Sequence, residues 1–209
     1  MNYQYKLVLF DFDYTLADSS KGAISCINYA LDKMGLDTVS DEIACRTIGL
    51  SLSNTFVQIC NENQIDKINE FTGLFIKHAD KVMVNFTEIY DSVPETMRIL
   101  KSKGIKLGII SSKFRYGIEE ILVRAGLQNT FDYIVGGEDV ICQKPSPEGV
   151  IKAIEFFNLK LDEVLYIGDS LTDAETAKNA GVNFIATLTG VTKKEEFNDF
   201  NVYTYIDEI

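Results

Sequence analysis

The strongest constraint on this fold comes from short apolar runs that each end abruptly in a polar residue. Three such runs are Leu7–Phe10 before Asp11, Ile105–Ile110 before Ser111, and Val164–Ile167 before Gly168 and Asp169. Buried parallel strands have this composition because helices cover both faces of their sheet. The pattern therefore predicts a parallel sheet whose strands end at a polar edge.

The second half of the chain alternates between predicted strands and predicted helices. Two more apolar runs, Tyr133–Val135 and Phe184–Ala186, have the length of strands. The segments between the runs carry apolar residues at helical spacing, as Ile118, Ile121 and Leu122 do. From residue 91 onward, this alternation predicts an α/β fold, with an open parallel sheet and helices on both faces.

The segment between the first strand and residue 85 does not follow the alternation. It contains helical runs and nothing that resembles a strand; Ile65, Ile68 and Phe71 belong to one of these runs. We expect a small all-helical cap at residues 17–85, inserted after the first strand. The catalytic core then consists of residues 1–16 and 86–209.

The net charge of the chain limits the kinds of partner that it is expected to bind. The chain of 209 residues has a formal net charge of −11, whereas proteins that bind nucleic-acid backbones cluster Lys and Arg. No apolar run approaches the roughly 20 residues of a membrane span, and the run before Asp11 is too short for a signal-peptide core. We expect a soluble, cytoplasmic protein that binds neither nucleic acid nor membrane.

The cysteines and the single histidine fit packing better than metal binding. The four cysteines are widely spaced and lack a C-x-x-C pair: Cys26, Cys45, Cys60 and Cys142. Such residues are typically small buried hydrophobic groups in a protein of this size. His78 lies in a helical run, where we expect it to be packed or exposed rather than catalytic.

Carboxylates follow two of the predicted strands. Asp11 and Asp13 are at extended spacing and project to the same side, while Asp169 and Asp173 follow a later strand. Ligands of open α/β sheets bind at the carboxyl ends of the strands, so these groups are expected to converge there. A hard divalent cation would offset their repulsion, and Mg²⁺ suits a site of few carboxylates and water.

Hydroxyl groups and cations are expected at the same edge. Ser111, Ser112 and Lys113 follow one strand, and Lys144 stands shortly before a helix that Pro147 helps to start. Together with Mg²⁺, these donors would form an anion site. The expected guest is a phosphoryl group.

These four segments resemble the motifs of the haloacid dehalogenase superfamily of phosphotransferases. Asp11-x-Asp13-x-Thr15 is similar to its first motif, Ser111 to its second, Lys144 to its third, and Gly168-Asp169-x-x-x-Asp173 to its fourth. The resemblance covers nearly the whole chain. It implies a Rossmann-like core that carries a helical cap.

The resemblance also implies a role for each motif residue. Asp11 would be the nucleophile and form an aspartyl-phosphate, and Asp13 would be the general acid and then the base. Asp11, Asp169 and the backbone carbonyl of Asp13 would hold Mg²⁺, with Asp173 orienting either this set or Lys144 from behind. Ser111 and Lys144 would stabilise the transferring phosphoryl group. A carboxylate at position 13 favours phosphate esters or anhydrides over carbon–halogen substrates.

Substrate contacts are expected from both parts of the chain. Arg46, in a segment similar to the cap of phosphoglycolate phosphatase-like members, could bind an anionic leaving group. The other expected substrate-binding residues are Thr15, Ser112 and Lys113. Tyr14 stands where many relatives have Gly, and packing at the cap hinge is the favoured interpretation.

The leading hypothesis is a Mg²⁺-dependent phosphatase that acts on a small phosphorylated metabolite similar to phosphoglycolate. The alternatives are a phosphomutase of the β-phosphoglucomutase type, an inorganic pyrophosphatase, and a non-catalytic sensor of a phosphorylated ligand. The expected assembly is a monomer or a homodimer.

Overall fold

The computed structural model describes residues 5–60 and 62–209. Residues 1–4 of the predicted core and residue 61 of the predicted cap lie outside the described ranges. The described strands, in chain order, are β1 (Leu7–Phe10), β2 (Ala17–Asp18), β3 (Glu88–Ile89), β4 (Lys106–Ile110), β5 (Tyr133–Val135), β6 (Val164–Gly168), β7 (Asn183–Thr187) and β8 (Val202–Ile206).

Six of these strands form one parallel sheet in the order β5-β4-β1-β6-β7-β8. The strand β1 lies between β4 and β6, so the carboxyl ends of these three strands are adjacent. The parallel sheet confirms the predicted α/β fold class. The strand β8 was not predicted, because its five residues Val202–Ile206 alternate tyrosines with other residues instead of forming an apolar run.

The described α-helices connect and cover these strands. In chain order they are α1 (Ser20–Lys33), α2 (Asp41–Cys45), α3 (Leu52–Cys60), α4 (Ile68–Val82), α5 (Val93–Ser102), α6 (Arg115–Arg124), α7 (Glu148–Phe157) and α8 (Leu171–Ala180). Short 3₁₀ helices span Glu62–Lys67, Gly137–Asp139, Leu161–Glu163 and Lys194–Phe197.

The sheet is covered on both faces, as its apolar strands require. Side chains of β1 alternate between the two cores: Leu7 and Leu9 pack with α7 and α8, whereas Val8 and Phe10 pack with α5 and α6. All four side chains are buried. This burial on both faces explains why the sequence of β1 is a continuous apolar run.

The helices α1 to α4 have a separate apolar core, and we call residues 20–82 the cap. Fully buried Leu31, Phe56 and Phe71 belong to this core. A short antiparallel ribbon of β2 and β3 brackets the cap and joins it to the sheet. The expectation that no strand occurs between residues 17 and 85 is therefore wrong at Ala17–Asp18, because a two-residue strand is too short to show a periodic pattern.

None of the helices in the described ranges combines the length and the apolar character that a bilayer span requires.

The contact between β1 and β4 predicts different effects for two glycine substitutions. A methyl group at Gly108 would meet the side chain of Leu9 at 2.7 Å, whereas one at exposed Gly73 in α4 would meet nothing within 4 Å. We expect Gly108→Ala to lower the free energy of unfolding by about 1–3 kcal/mol through overpacking. Gly73→Ala should raise it by roughly 0.5–1 kcal/mol, since alanine favours the helix. Urea unfolding measures both, and equal effects would contradict the packing described here.

Candidate active site

The site is built where β1, β4 and β6 end side by side. The N–H of Asp11 donates to the carbonyl oxygen of Ile167 at 2.9 Å, and the N–H of Ser111 donates to that of Val135 at 3.0 Å. These bonds continue the ladders of the sheet by one residue. Asp11, Ser111 and Asp169, each at the end of its strand, are all buried. The structure thus brings together three of the residues expected at the polar edge.

Asp173 reaches the site from the first turn of α8. Its carboxylate accepts from the Ser170 N–H at 3.1 Å, and its own N–H donates to the Ser170 hydroxyl at 3.2 Å, which together form a capping box. The Ser170 hydroxyl also donates to this carboxylate at 2.5 Å. A methyl group on Gly168 would meet the side chain of Asp173 at 2.5 Å, so this position has room only for glycine. The helix start and Gly168 together hold Asp173 against the strand end.

Lys144 lies among these carboxylates and is itself buried. Its Nζ is 2.9 Å from Oδ1 of Asp11 and 2.6 Å from Oδ1 of Asp173. Burial opposes the charged form of this lysine, but the charges of Asp11 and Asp173 outweigh it and raise the pKa of Lys144 above its ordinary value. Lys144 is therefore a fixed cation at the edge of the sheet.

The carboxylate of Asp11 is the least satisfied polar group of the site. Lys144 forms an ion pair with Oδ1 at 2.9 Å, and apart from this pair neither carboxylate oxygen of Asp11 has a hydrogen-bond partner. Burial raises the pKa of Asp11 to about 7; Lys144 opposes this shift, and Asp173 and Asp13 add to it. A buried acceptor without a donor is costly, so this side chain is suited to a cation or a reacting group.

The carboxylates of Asp11, Asp169 and Asp173 can jointly approach a metal ion. Each offers one oxygen, and these atoms lie within 4.8 Å of one another. Burial, followed by the charges of Asp173 and Asp11, raises the pKa of Asp169 well above its usual value. Buried carboxylates that repel one another fit a hard divalent cation with oxygen ligands, such as Mg²⁺.

Asp173 is poorly placed to be a direct ligand of such an ion. Its Oδ1 accepts from Lys144 at 2.6 Å and from the Tyr166 hydroxyl at 2.9 Å, and its Oδ2 accepts from Ser170. Asp11 and Asp169 have fewer partners and are therefore the better-placed ligands. This arrangement agrees with the positioning role expected of Asp173.

Asp13 has partners of its own. The Ser19 hydroxyl donates to Oδ1 of Asp13 at 2.5 Å, and Nζ of Lys113 is 3.1 Å from the same oxygen. The side chain of Asp13 is not part of the carboxylate cluster, so its expected contribution to a metal through the backbone carbonyl stays a prediction. Two residues apart in sequence, Asp11 and Asp13 occupy different electrostatic environments.

A cavity of about 440 Å³ lies between the cap and the ends of the strands. Asp13, Ser112 and Lys113 line it on the side of the sheet, and the segment Thr47–Ser53 lines it on the side of the cap. The Ser112 hydroxyl donates to the Gly49 carbonyl oxygen at 2.9 Å and so connects the two sides. The cap covers the site in this structure.

The expected substrate-binding residues do not all reach this cavity. Ser112 and Lys113 line it, and Lys113 is largely buried rather than exposed on its loop. Thr15 is fully buried and donates to Oδ1 of Asp169 at 3.4 Å, so it contacts the carboxylate cluster instead. Arg46 is exposed at the end of α2 and is not among the residues that line the cavity.

Tyr14 packs at the connection to the cap, as the favoured interpretation proposed. It is buried and adopts a φ of 60°, a left-handed conformation that glycine tolerates best. The Thr189 hydroxyl donates to its carbonyl oxygen. Burial and the neighbouring Cys45 raise the pKa of its phenol above the ordinary value. The side chain thus links the loop after the nucleophile position to α2.

The histidine is packed as expected, but most of the cysteines are not buried. His78 stacks on Tyr29 with ring centroids 4.2 Å apart, and its Nε2 is 3.0 Å from the Ser25 hydroxyl, so it is a packed residue of the cap. Of the four cysteines, which were expected to be buried, Cys26 is buried, Cys45 and Cys60 are half-buried, and Cys142 is exposed.

The sequence analysis did not identify two polar partners of the site carboxylates. Tyr166 is a fully buried residue of β6 whose hydroxyl donates to Asp173 at 2.9 Å, and Ser19 binds Asp13. A tyrosine within a wholly apolar strand was a usable signal, because a buried phenol needs a hydrogen-bond partner. Ser19 had no such signal, since only the path of the chain after β2 places it near Asp13.

Comparison with known proteins finds matches over most of the chain. A family model described as haloacid dehalogenase-like hydrolase matches residues 8–187. The phosphoglycolate phosphatase of Aquifex aeolicus is 32% identical over 199 residues, which are 94% of this chain and 92% of that protein. The pyrophosphatase PpaX of Bacillus cereus is 35% identical over 187 residues, which are 88% of this chain and 84% of that protein.

A solved structure has a closely similar backbone. It is described as a haloacid dehalogenase-like hydrolase from Bacteroides fragilis, with 39% identity, a TM-score of 0.95, and coverage of 98% of each chain. The similarity therefore includes the cap as well as the sheet.

The buried position of Lys144 predicts a large stability loss on its removal. Lys144→Met leaves Asp11 and Asp173 without their cation, and we expect the free energy of unfolding of the metal-free protein to fall by about 3–5 kcal/mol at pH 8. The loss should be smaller at pH 5, because protonated Asp11, with its pKa of about 7, no longer needs a counter-charge. Urea titrations at both pH values measure this.

The matched control is Lys6→Met, which removes a lysine paired with Glu163 at the surface. Exposed ion pairs contribute little, so its effect should be much smaller. Similar losses in the two variants would contradict the role given to Lys144.

Proposed function

This chain belongs to the haloacid dehalogenase-like hydrolase family and is an enzyme of its phosphatase type, and we propose that it hydrolyses a small phosphomonoester through an aspartyl-phosphate on Asp11, with Mg²⁺ as its cofactor. The observation that carries the proposal is the carboxylate of Asp11. It is buried at the end of β1, lies 2.9 Å from the ammonium of Lys144, and has no other hydrogen-bond partner.

The first step follows from the surroundings of Asp11. A carboxylate oxygen of Asp11 attacks phosphorus and forms the acyl phosphate, while the bond from phosphorus to the leaving oxygen breaks. Lys144 and Ser111 stand at the same edge and stabilise the negative charge on the phosphoryl oxygens. Asp11 and Asp169 would hold a divalent cation, which would supply further stabilisation of negative charge.

Asp13 is placed to move the protons of both steps. It lines the cavity that the leaving group would occupy, and Ser19 and Lys113 fix the direction of its carboxyl group. In the first step it gives a proton to the leaving oxygen. In the second step it takes a proton from the water that hydrolyses the acyl phosphate.

The expectation of a phosphoglycolate-like substrate depended in part on Arg46. That residue is exposed and outside the cavity, so the proposal covers phosphomonoesters without assigning an anionic leaving group. Measurement of phosphate release over a panel of substrates separates the phosphomutase, pyrophosphatase and sensor alternatives. A mutase would require a bisphosphate primer, a pyrophosphatase would prefer pyrophosphate, and a sensor would bind without turnover.

Removal of the nucleophile should abolish phosphate release. We expect Asp11→Asn to lower kcat by about 10³-fold or more on any phosphomonoester that the wild type hydrolyses, because the acyl phosphate cannot form. Malachite-green detection of phosphate over a panel of esters measures this. The control Asp162→Asn changes an exposed carboxylate just before β6, at the opposite edge of the sheet, and should keep the wild-type rate.

Mg²⁺ should stabilise the folded protein through the same carboxylates. At about 100 times its Kd, a ligand adds about 2.7 kcal/mol, which corresponds to a rise in Tm of about 5–10 °C for a chain of this length. Asp169→Asn should lose most of this shift, while Asp162→Asn should retain it. Thermal unfolding in EDTA and in Mg²⁺ gives the comparison, and an undiminished shift in Asp169→Asn would contradict the assigned ligand set.

A further inference from the structure

The cavity has a chemical character that specifies the substrate more closely. We infer that the leaving group of the substrate carries no negative charge: it is an alcohol with a partly apolar body and hydrogen-bond donors at its far end. This inference rests on the proposed phosphatase function and concerns only the part of the ester beyond the phosphoryl group.

The cavity lies on the leaving-group side of the site. Asp13, the expected proton donor to the leaving oxygen, is one of its lining residues. The residues assigned to the phosphoryl group and the metal do not line the cavity: Asp11, Ser111, Lys144 and Asp169. A molecule with its phosphoryl group on Asp11 would therefore extend past Asp13 into this cavity.

The walls of the cavity are mainly apolar. The helices α1 and α4 and the segment before α3 contribute aliphatic and aromatic side chains: Ala23, Ile27, Ile48, Leu50, Phe75 and Ile76. Such walls favour a leaving group that loses apolar surface to them. A carboxylate or a phosphate in contact with these walls would lose its hydration without gaining hydrogen bonds or an ion pair in return.

The cavity offers little positive charge. Among the described residues that line it, Lys113 is the only one with a cationic side chain. Its ammonium already lies 3.1 Å from Oδ1 of Asp13. Arg46, which was expected to bind an anionic leaving group, does not line the cavity. An anionic leaving group would thus lack a cation of its own.

The outer part of the cavity offers acceptors and negative charge instead. Asp80 and Glu120 line it at exposed positions, and Asp80 is held by the Tyr116 hydroxyl at 2.8 Å. Gln143 also lines it, with its Nε2 donating to Gly137 at 3.1 Å, while its buried Oε1 has no hydrogen-bond partner. These groups repel a carboxylate but can accept hydrogen bonds from hydroxyl groups of a substrate.

The leaving group inferred for this chain differs in charge from those of the relatives whose names state a substrate. The relatives described above are named for phosphoglycolate and for pyrophosphate, in which the group beyond the scissile bond is anionic. The shared sheet edge explains shared phosphoryl chemistry. The apolar walls of the cavity indicate that the leaving group of this chain's substrate differs from those of phosphoglycolate and pyrophosphate.

The decisive experiment compares pairs of esters that differ by one charge. With Mg²⁺ at fixed ionic strength, 2-phosphoglycolate is compared with the phosphate ester of glycolamide, in which a carboxamide replaces the carboxylate. Propyl phosphate, glycerol phosphate and pyrophosphate complete the panel. We expect kcat/KM to be at least tenfold higher for the carboxamide than for the carboxylate, and higher for both neutral alcohol esters than for pyrophosphate.

Variants of the cavity test the cause of this preference. Thr72→Arg places a cation on the cap wall and should raise the carboxylate-to-carboxamide ratio of kcat/KM by about tenfold, whereas Thr72→Gln, of similar length but neutral, should not. Asp80→Asn combined with Glu120→Gln removes the negative charges while keeping side-chain shape. That double variant should raise the same ratio.

The outcomes distinguish this inference from the function on which it rests. Hydrolysis of the panel with equal or greater kcat/KM for the carboxylate and for pyrophosphate overturns the inference and leaves the phosphatase intact. A ratio that does not respond to Thr72→Arg or to the acidic double variant also overturns it. If the wild type hydrolyses no phosphomonoester of the panel, the proposed function fails and the inference fails with it.

Discussion

Three carboxylates and one ammonium group are buried together at the carboxyl edge of the sheet. The arrangement of the residues around them depends on keeping these opposite charges paired. Lys144 reaches both Asp11 and Asp173, and without it two buried charges would have no nearby cation. Tyr166 and Ser170 occupy the remaining positions around Asp173, so the lysine is held in one place. Asp11 has no hydrogen-bond partner besides this lysine, and the proposed chemistry rests on that.

The two aspartates of the first motif differ because the chain turns between them. Asp11 continues β1 into the ion cluster, whereas Asp13 is turned toward Ser19 and Lys113 at the cavity. One carboxylate is thereby suited to attack phosphorus and the other to exchange protons with the leaving oxygen. The left-handed conformation of Tyr14, the next residue, and its contact with the cap help to keep this turn in place.

Chemistry and specificity reside on different elements of the fold. The strand ends supply the groups that the proposed phosphoryl transfer needs. The cap supplies most of the cavity wall, which decides what leaving group fits. Such a division explains how relatives with one fold carry the names of different substrates.

The sequence by itself determined the α/β class, the family, and the residues of the polar edge. Apolar runs that end in Asp11, Ser111 and Asp169 are local patterns, and parallel pairing requires their ends to meet. Only the tertiary structure decided that Ser19 binds Asp13, that Thr15 contacts Asp169, and that Arg46 lies outside the cavity. Those facts depend on how the cap and its loops pack over the sheet, and side-chain positions across such an interface are not encoded in periodicity or in local motifs.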